Sequence, residues 1–219
     1  MEKSFGASLM VADPLNLNVQ LKELESADID FYHIDIMDGQ FVNNFALSID
    51  YIRSIKHVVT KPIDVHLMVE NPERYIGELA SVGVDIITVH AEAVTHLHGV
   101  LAEIKKHNIK AGVALNPSTS VESLDFVADM IDVLVVMTVN PGFAGQKFID
   151  SMYKKVERAK DWVASNNLDT LIQVDGNIGH HSIPGCYDNG ANMFVLGTSA
   201  LFHNRGTLSE NLKETRELV

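Results

Sequence analysis

Short apolar runs alternate with helix-period patterns along the whole chain. The runs fall at residues 5–10, 31–37, 63–69, 86–91, 110–115, 133–139, 171–175 and 193–197. They are rich in Val, Ile and Phe, and most are apolar on both faces, as parallel strands covered by helices are. Between them lie helical stripes. Asp13-Pro14 reads as an N-cap with proline at the first helical position, followed by Leu17, Leu21 and Leu24. Ile49, Ile52, Ile55 and Val59 form a second stripe, and Asn71-Pro72 repeats the start signal ahead of Tyr75, Ile76 and Leu79. Leu97, Val100, Leu101 and Ile104 follow the i, i+3, i+4, i+7 template. Val121, Leu124 and Ile131 are a weaker helix, and Phe148, Met152, Val156, Ala159 and Val163 a long one. Pro184 and Gly185 interrupt the pattern over 179–189, and Leu208 and Leu212 mark a short final helix.

Eight strand-then-helix units in 219 residues, with no linker or low-complexity segment, predict a single α/β domain over 1–219. The expected architecture is a closed (β/α)8 TIM barrel, at about 27 residues per unit. An open doubly wound sheet is the runner-up, disfavoured because no glycine fingerprint follows the first strand.

Composition narrows the partners. At 46% hydrophobic residues the chain can bury a large core unaided. The net charge of −12 argues against nucleic acid and anionic membrane, which need a basic footprint. A phosphorylated ligand would be repelled by the overall field. It has to be attracted locally, by a metal ion or by backbone N–H groups at turns. The single Cys186 excludes an intramolecular disulfide and fits a reducing cytoplasm. The opening Met1-Glu2-Lys3-Ser4-Phe5 has no leader pattern, and no apolar run approaches the ~18 residues of a membrane span.

The chemistry concentrates in Phe31-Tyr32-His33-Ile34-Asp35-Ile36-Met37-Asp38-Gly39. At strand period, His33, Asp35 and Met37 share one face. A buried unpaired charge is costly, so that face calls for a partner. Pro62-Ile63-Asp64-Val65-His66-Leu67-Met68 repeats the His-x-Met spacing, and Leu171-Ile172-Gln173-Val174-Asp175-Gly176 ends a strand on a second carboxylate. His33, Asp35, His66 and Asp175 form a mixed imidazole–carboxylate set that suits one divalent ion, with Zn, Fe, Mn and Co left open. Met37, Met68 and Met137 are read as apolar cavity wall, since methionine fills irregular space.

Three glycine-bearing turns follow the last three strands: Asn140-Pro141-Gly142-Phe143-Ala144-Gly145-Gln146, Asp175-Gly176-Asn177 and Gly197-Thr198-Ser199. Loops after the late strands of such barrels are the usual phosphate site, and glycine lets N–H groups come close to an oxyanion. Among the other histidines, His96, His98 and His107 fall on a solvated helical segment, and His57, His180, His181 and His203 have no partner pattern. His90 stands near a strand top and can reach the site, while Lys147 reads as a solvated lysine.

These motifs together resemble the ribulose-phosphate 3-epimerase family over essentially the whole chain. The resemblance rests on His33-Ile34-Asp35-Ile36-Met37-Asp38-Gly39, Asp64-Val65-His66-Leu67-Met68, Met137-Thr138-Val139-Asn140-Pro141-Gly142-Phe143 and Val174-Asp175-Gly176. It implies a divalent metal held by His33, Asp35, His66 and Asp175, with Asp35 and Asp175 as the acid/base pair. It implies Ser8 and His66 as substrate contacts. The phosphate site would comprise Gly142, Phe143, Ala144 and Gly145, Gly176 and Asn177, and Gly197, Thr198 and Ser199. A small-molecule sugar phosphate and a homo-oligomer are the implied partners. The implied reaction is two-base proton transfer at C3 through an enediolate, D-ribulose 5-phosphate to D-xylulose 5-phosphate. The chain departs from the family pattern at Asn43, where proline is usual, and at Met10, Ala144, Asn177 and 197–202. Asn43 is expected to loosen the loop after the second strand. Met10, Ala144 and 197–202 are similar to the allulose-6-phosphate 3-epimerase branch, which makes D-allulose 6-phosphate the alternative substrate. A non-catalytic sugar-phosphate-binding barrel is the rival of a different class, weakened by the carboxylate pair. A decarboxylase of the orotidine-monophosphate type needs a lysine where Met37 stands.

Overall fold

The structure is a computed structural model, described over residues 3–219; Met1 and Glu2, at the head of the opening stretch, lie outside the described residues. Eight parallel strands form a closed barrel: β1 (Ser4–Ser8), β2 (Phe31–Met37), β3 (Ile63–Met68), β4 (Ile86–His90), β5 (Lys110–Leu115), β6 (Val133–Met137), β7 (Leu171–Asp175) and β8 (Met193–Leu196). Each strand pairs with its sequence neighbour, and β1 closes on β8.

The period-two alternation decides what each strand contributes. Tyr32 and Ile34 of β2 face outward into the large core beneath the helices. Phe31 joins Ile86, Val133, Val135 and Met193 in a smaller cluster inside the barrel. There is room for the Phe31 ring because Gly6 sits beside it on β1. A Cβ at Gly6 would come within 2.1 Å of the ring. Further up the same face come His33, Asp35 and Met37, and Met37 packs with Val42 and Met68 at the barrel mouth. Register then sets neighbours. Asp35 lies opposite His66 and Met37 opposite Met68. Ser8 lies opposite His33, and Met137 opposite Asp175.

The helices α1 (Leu17–Ser26), α2 (Ile49–Ile55), α3 (Ile76–Val82), α4 (Leu97–Lys106), α5 (Met152–Ser165), α6 (Ile183–Asp188) and α7 (Leu208–Arg216) follow the sequence stripes, with informative differences. Asp13 does not cap α1. Its carboxylate accepts from the Leu15 N–H and the Asn16 side chain, closing a turn, and the helix starts at Leu17. Asn71-Pro72 opens a single 3-10 turn (Pro72–Arg74) before α3. The weak pattern after β5 is a 3-10 helix, Val121–Met130, in place of an α-helix. Pro184 does not break α6. It occupies the first turn, where its missing N–H has no helical partner to lose. A capping box between Thr207 and Glu210 starts α7. Among the described residues, no helix is long and apolar enough to cross a membrane.

Candidate active site

At the C-terminal ends of the strands, four side chains from β2, β3 and β7 converge. His33, Asp35, His66 and Asp175 each offer one ligand atom, and these atoms all lie within 4.8 Å of one another. His33 Nε2 is 3.3 Å from Asp35 Oδ1 and 3.7 Å from Asp175 Oδ2. His66 Nδ1 is 3.2 Å from Asp35 Oδ1 and 3.4 Å from Asp175 Oδ2. Nitrogen and oxygen ligands about 2.0–2.1 Å from a tetrahedral ion stand about 3.3 Å apart, so the spacing fits one small divalent cation.

The partners of His33 favour the same reading. Its Nδ1–H donates to Asp64 Oδ2 at 2.7 Å, and that oxygen also accepts from Gln173 Nε2 at 2.8 Å. His33 Nε2 is buried and has no hydrogen-bond partner. A neutral ring with its proton on Nδ1 aims the Nε2 lone pair at two carboxylates, which is repulsive unless positive charge lies among them. Metal-bound histidines ordinarily have a carboxylate behind them in this way.

Without a cation, the same negative charges favour a proton on each ring instead. Burial alone would push His33 down, but the charges of Asp35 and Asp64 outweigh it and hold the ring well above its ordinary pKa. Burial opposes His66 too, and hydrogen bonds to Asp175 and Asp35 raise it. Burial would raise Asp35, yet His33 and His66 keep it far below the carboxylate range. Asp175 is lowered by the same two rings against burial and the nearby Asp35 charge. The cluster is one in which carboxylates stay ionised and attract a cation.

Above it opens a cavity at the barrel mouth. Its lining includes Ser8, Asp35, Met37, Met68, Met137 and Asp175, and the turn residues Gly142, Phe143, Ala144, Gly145, Gly176, Asn177, Gly197, Thr198 and Ser199. His33 and His66 are fully buried and do not line the cavity; they support it from below. The Ser8 hydroxyl donates to Asp35 Oδ2 at 3.1 Å. Gln146 staples the turn after β6 by donating to the carbonyls of Asn140 and Phe143. Asn44 Nδ2 donates to the Gly142 carbonyl at 2.7 Å, tying the loop that carries Asn43 to that turn. The Ser199 hydroxyl bonds the Asn177 side chain across the other two turns.

His90 does not reach the cavity; it stands behind His66. Lys147 is exposed, as are His57, His96, His98, His107 and His181. Sequence reasoning assigned no role to Asp64, Gln173 or Glu92. A signal existed for Asp64 and Gln173: each lies two residues before a proposed ligand, on the same strand face.

The chain is similar to known proteins along most of its length. The sequence model of the "Ribulose-phosphate 3 epimerase family" matches residues 4–202. The chain belongs to the ribulose-phosphate 3-epimerase family. Within it, the chain is 42% identical to the ribulose-phosphate 3-epimerase of Bacillus subtilis over 193 residues, covering 88% of this chain and 89% of that one. It is 38% identical to the enzyme of that name from Methanocaldococcus jannaschii over 211 residues, covering 95% and 89%. Beyond the family, the fold is similar to a tryptophan synthase alpha-subunit mutant from Pyrococcus furiosus, with a TM-score of 0.71 at 18% identity over 99% of this chain and 100% of that one. That likeness concerns the barrel alone.

Proposed function

We propose that this protein is a metal-dependent 3-epimerase of a phosphorylated ketose, acting on D-ribulose 5-phosphate to give D-xylulose 5-phosphate. The observation that carries the reading is the carboxylate pair. Asp35 and Asp175 come from β2 and β7, share the same two histidines, and both border the cavity. Membership of the family, and relatives named for this reaction, support the substrate.

Epimerisation at C3 removes a proton from one face of the carbon and returns one to the other. It needs one ionised and one protonated group. Asp35 accepts from the Ser8 hydroxyl, and the adjacent His33 and His66 rings hold it far below the carboxylate range, which favours its ionised form. The Asp35 charge opposes the lowering of Asp175 by His33 and His66, and the productive state is the one in which the pair holds a single proton, on Asp175. With Asp35 ionised, its carboxylate takes the C3 proton, leaving an enediolate. Asp175 then delivers its own proton to the opposite face and ends ionised. In the reverse direction the roles exchange. Proton exchange with solvent restores the starting state, and the two groups titrate as a pair. A divalent ion held by His33, Asp35, His66 and Asp175 would supply Lewis-acid polarisation beside the reacting carbon. Met37, Met68 and Met137 exclude water from that carbon. The turns at 142–145, 176–177 and 197–199 offer neutral N–H donors to the phosphate, so an acidic protein can hold an anion.

Met10 and Ala144 also border the cavity, and with 197–202 they support D-allulose 6-phosphate as a second reading. The test is kcat/KM for both sugars on one metal-assayed preparation. A clear preference for the pentose is expected, and a clear preference for the hexose would reverse the assignment. Asp35→Asn and Asp175→Asn should each lower kcat by at least ~10²-fold with circular dichroism unchanged. Near-native turnover in either would remove that residue from the mechanism.

A further inference from the structure

His66 has two sides. Nδ1 faces Asp35 and Asp175. Nε2 points away from the cavity, 2.9 Å from Nε2 of His90. Two ring nitrogens at that distance share a single proton, and its position decides what His66 offers on its other side.

The position is set further out. His90 ends β4, and its Nδ1 lies 3.3 Å from Oε2 of Glu92 in the turn that follows. The other oxygen of Glu92 accepts from the Asn116 N–H at 2.8 Å and from the Thr119 hydroxyl. An ionised carboxylate only accepts, so His90 carries its proton on Nδ1. Its Nε2 is then a bare lone pair, which accepts from His66 Nε2–H. A neutral His66 with its proton there has its own lone pair on Nδ1. His90 is fully buried and its ring lies against Phe41, so water offers no alternative partner.

We propose that Glu92 and His90 are positioning residues that hold His66 in the tautomer presenting Nδ1 to a divalent cation. The proposal rests on the reading above that His66 is a metal ligand. It gives the two histidines matching supports of different length: Asp64 acts on His33 directly, whereas Glu92 acts on His66 through a second ring.

The relay makes a counterintuitive prediction. In Glu92→Gln, the Asn116 N–H still requires an acceptor, so the amide oxygen stays on that side. The amide NH2 then faces His90 Nδ1 and forces a lone pair there. The His90 proton moves to Nε2, and His66 must carry its own on Nδ1, where the cation binds. Glu92→Ala merely removes the constraint. A packing role predicts the milder effect for the isosteric glutamine; the relay predicts the reverse.

The experiment measures zinc(II) affinity of the full-length protein by chelator competition, with urea unfolding of the metal-stripped variants alongside. The expected result is a loss of about 10–100-fold in Glu92→Gln, and a smaller loss in Glu92→Ala. In parallel, two-bond 15N correlation spectra of the zinc-loaded wild type report the His90 tautomer, assigned by signal loss in His90→Asn. Nδ1–H on His90 is expected. Zinc affinity in Glu92→Gln equal to the wild type or above Glu92→Ala, or a proton on Nε2 of His90, overturns the relay while leaving the metal reading intact. A wild type that takes up no zinc overturns both.

Discussion

Asp64→Asn tests the site from behind, without altering any residue that borders the cavity. Asp64 is fully buried, and its Oδ2 takes both the His33 Nδ1 and Gln173 Nε2 donors. The asparagine oxygen can keep both bonds, but charge is lost and the amide NH2 takes the place of Oδ1, a buried atom without a partner. A charge-assisted hydrogen bond is roughly twice as strong as a neutral one, and a neutral one is worth about 1 kcal/mol net, so the lost charge costs about 1–2 kcal/mol and the stranded amide about 1–3 kcal/mol more. His33 Nε2 becomes a poorer donor to a cation, and affinity falls by about 10–100-fold, or about 1.4–2.8 kcal/mol. Asp64→Ala differs in kind. It strands two buried donors at about 1–3 kcal/mol each, or about 2–6 kcal/mol together. That is a large share of the roughly 5–15 kcal/mol that holds a domain folded. Zinc competition with a chelator and urea unfolding of the metal-stripped protein, run on both variants, separate the two effects. Wild-type zinc affinity in Asp64→Asn, or a wild-type unfolding midpoint in Asp64→Ala, would refute the role given to Asp64.

Two other predictions concern parts of the fold that bear on the site. Gly176 has φ +119°, and a Cβ there would meet Val139 Cγ2 at 2.5 Å and the Val139 nitrogen at 2.9 Å. Gly176→Ala should therefore destabilise by about 2–4 kcal/mol in urea unfolding; an unchanged midpoint would contradict the strained turn. Lys155, buried with its ammonium donating to the Asn116 carbonyl, is pushed down by burial to about 8, against partial support from Glu92. Between that value and the unfolded lysine pKa of about 10.4 the unfolded chain binds more protons, so stability contributed here rises with pH over that window and is flat below it. Urea midpoints of wild type relative to Lys155→Met should climb from pH 8 to 10, and a constant difference would refute the shift.

The barrel was legible because strand and helix periods differ so plainly. The strand pattern of Phe31–Met37, Lys110–Leu115 and Leu171–Asp175 coincides with β2, β5 and β7. Helix starts were harder to read. Asp13 can close a local turn or cap a helix with the same carboxylate, and sequence does not say which donor it meets. The segment after β5 has helical spacing but folds as a 3-10 helix, since its apolar residues Val121, Leu124 and Ala128 bury either way. The four convergent side chains could be named because two carboxylates and two histidines at strand ends have no ordinary structural use. Of their supports, Asp64 and Gln173 carried only the signal of sharing a strand face with a ligand, because what each touches depends on register across the barrel. Gln173 on β7 reaches Asp64 on β3, and Glu92 reaches His66 only through His90. His90 carried a signal of position alone; its value comes from a contact that no spacing along the chain reveals.

In the proposed mechanism, two carboxylates on opposite sides of C3 exchange its proton with solvent. Turnover of ribulose 5-phosphate in D2O, read by NMR at C3 of the product and of recovered substrate, tests it most directly. Deuterium is expected at C3 of essentially every product molecule formed in the first turnovers, and no deuterated product with Asp35→Asn or Asp175→Asn. Product that keeps the substrate's own hydrogen at C3 would contradict it.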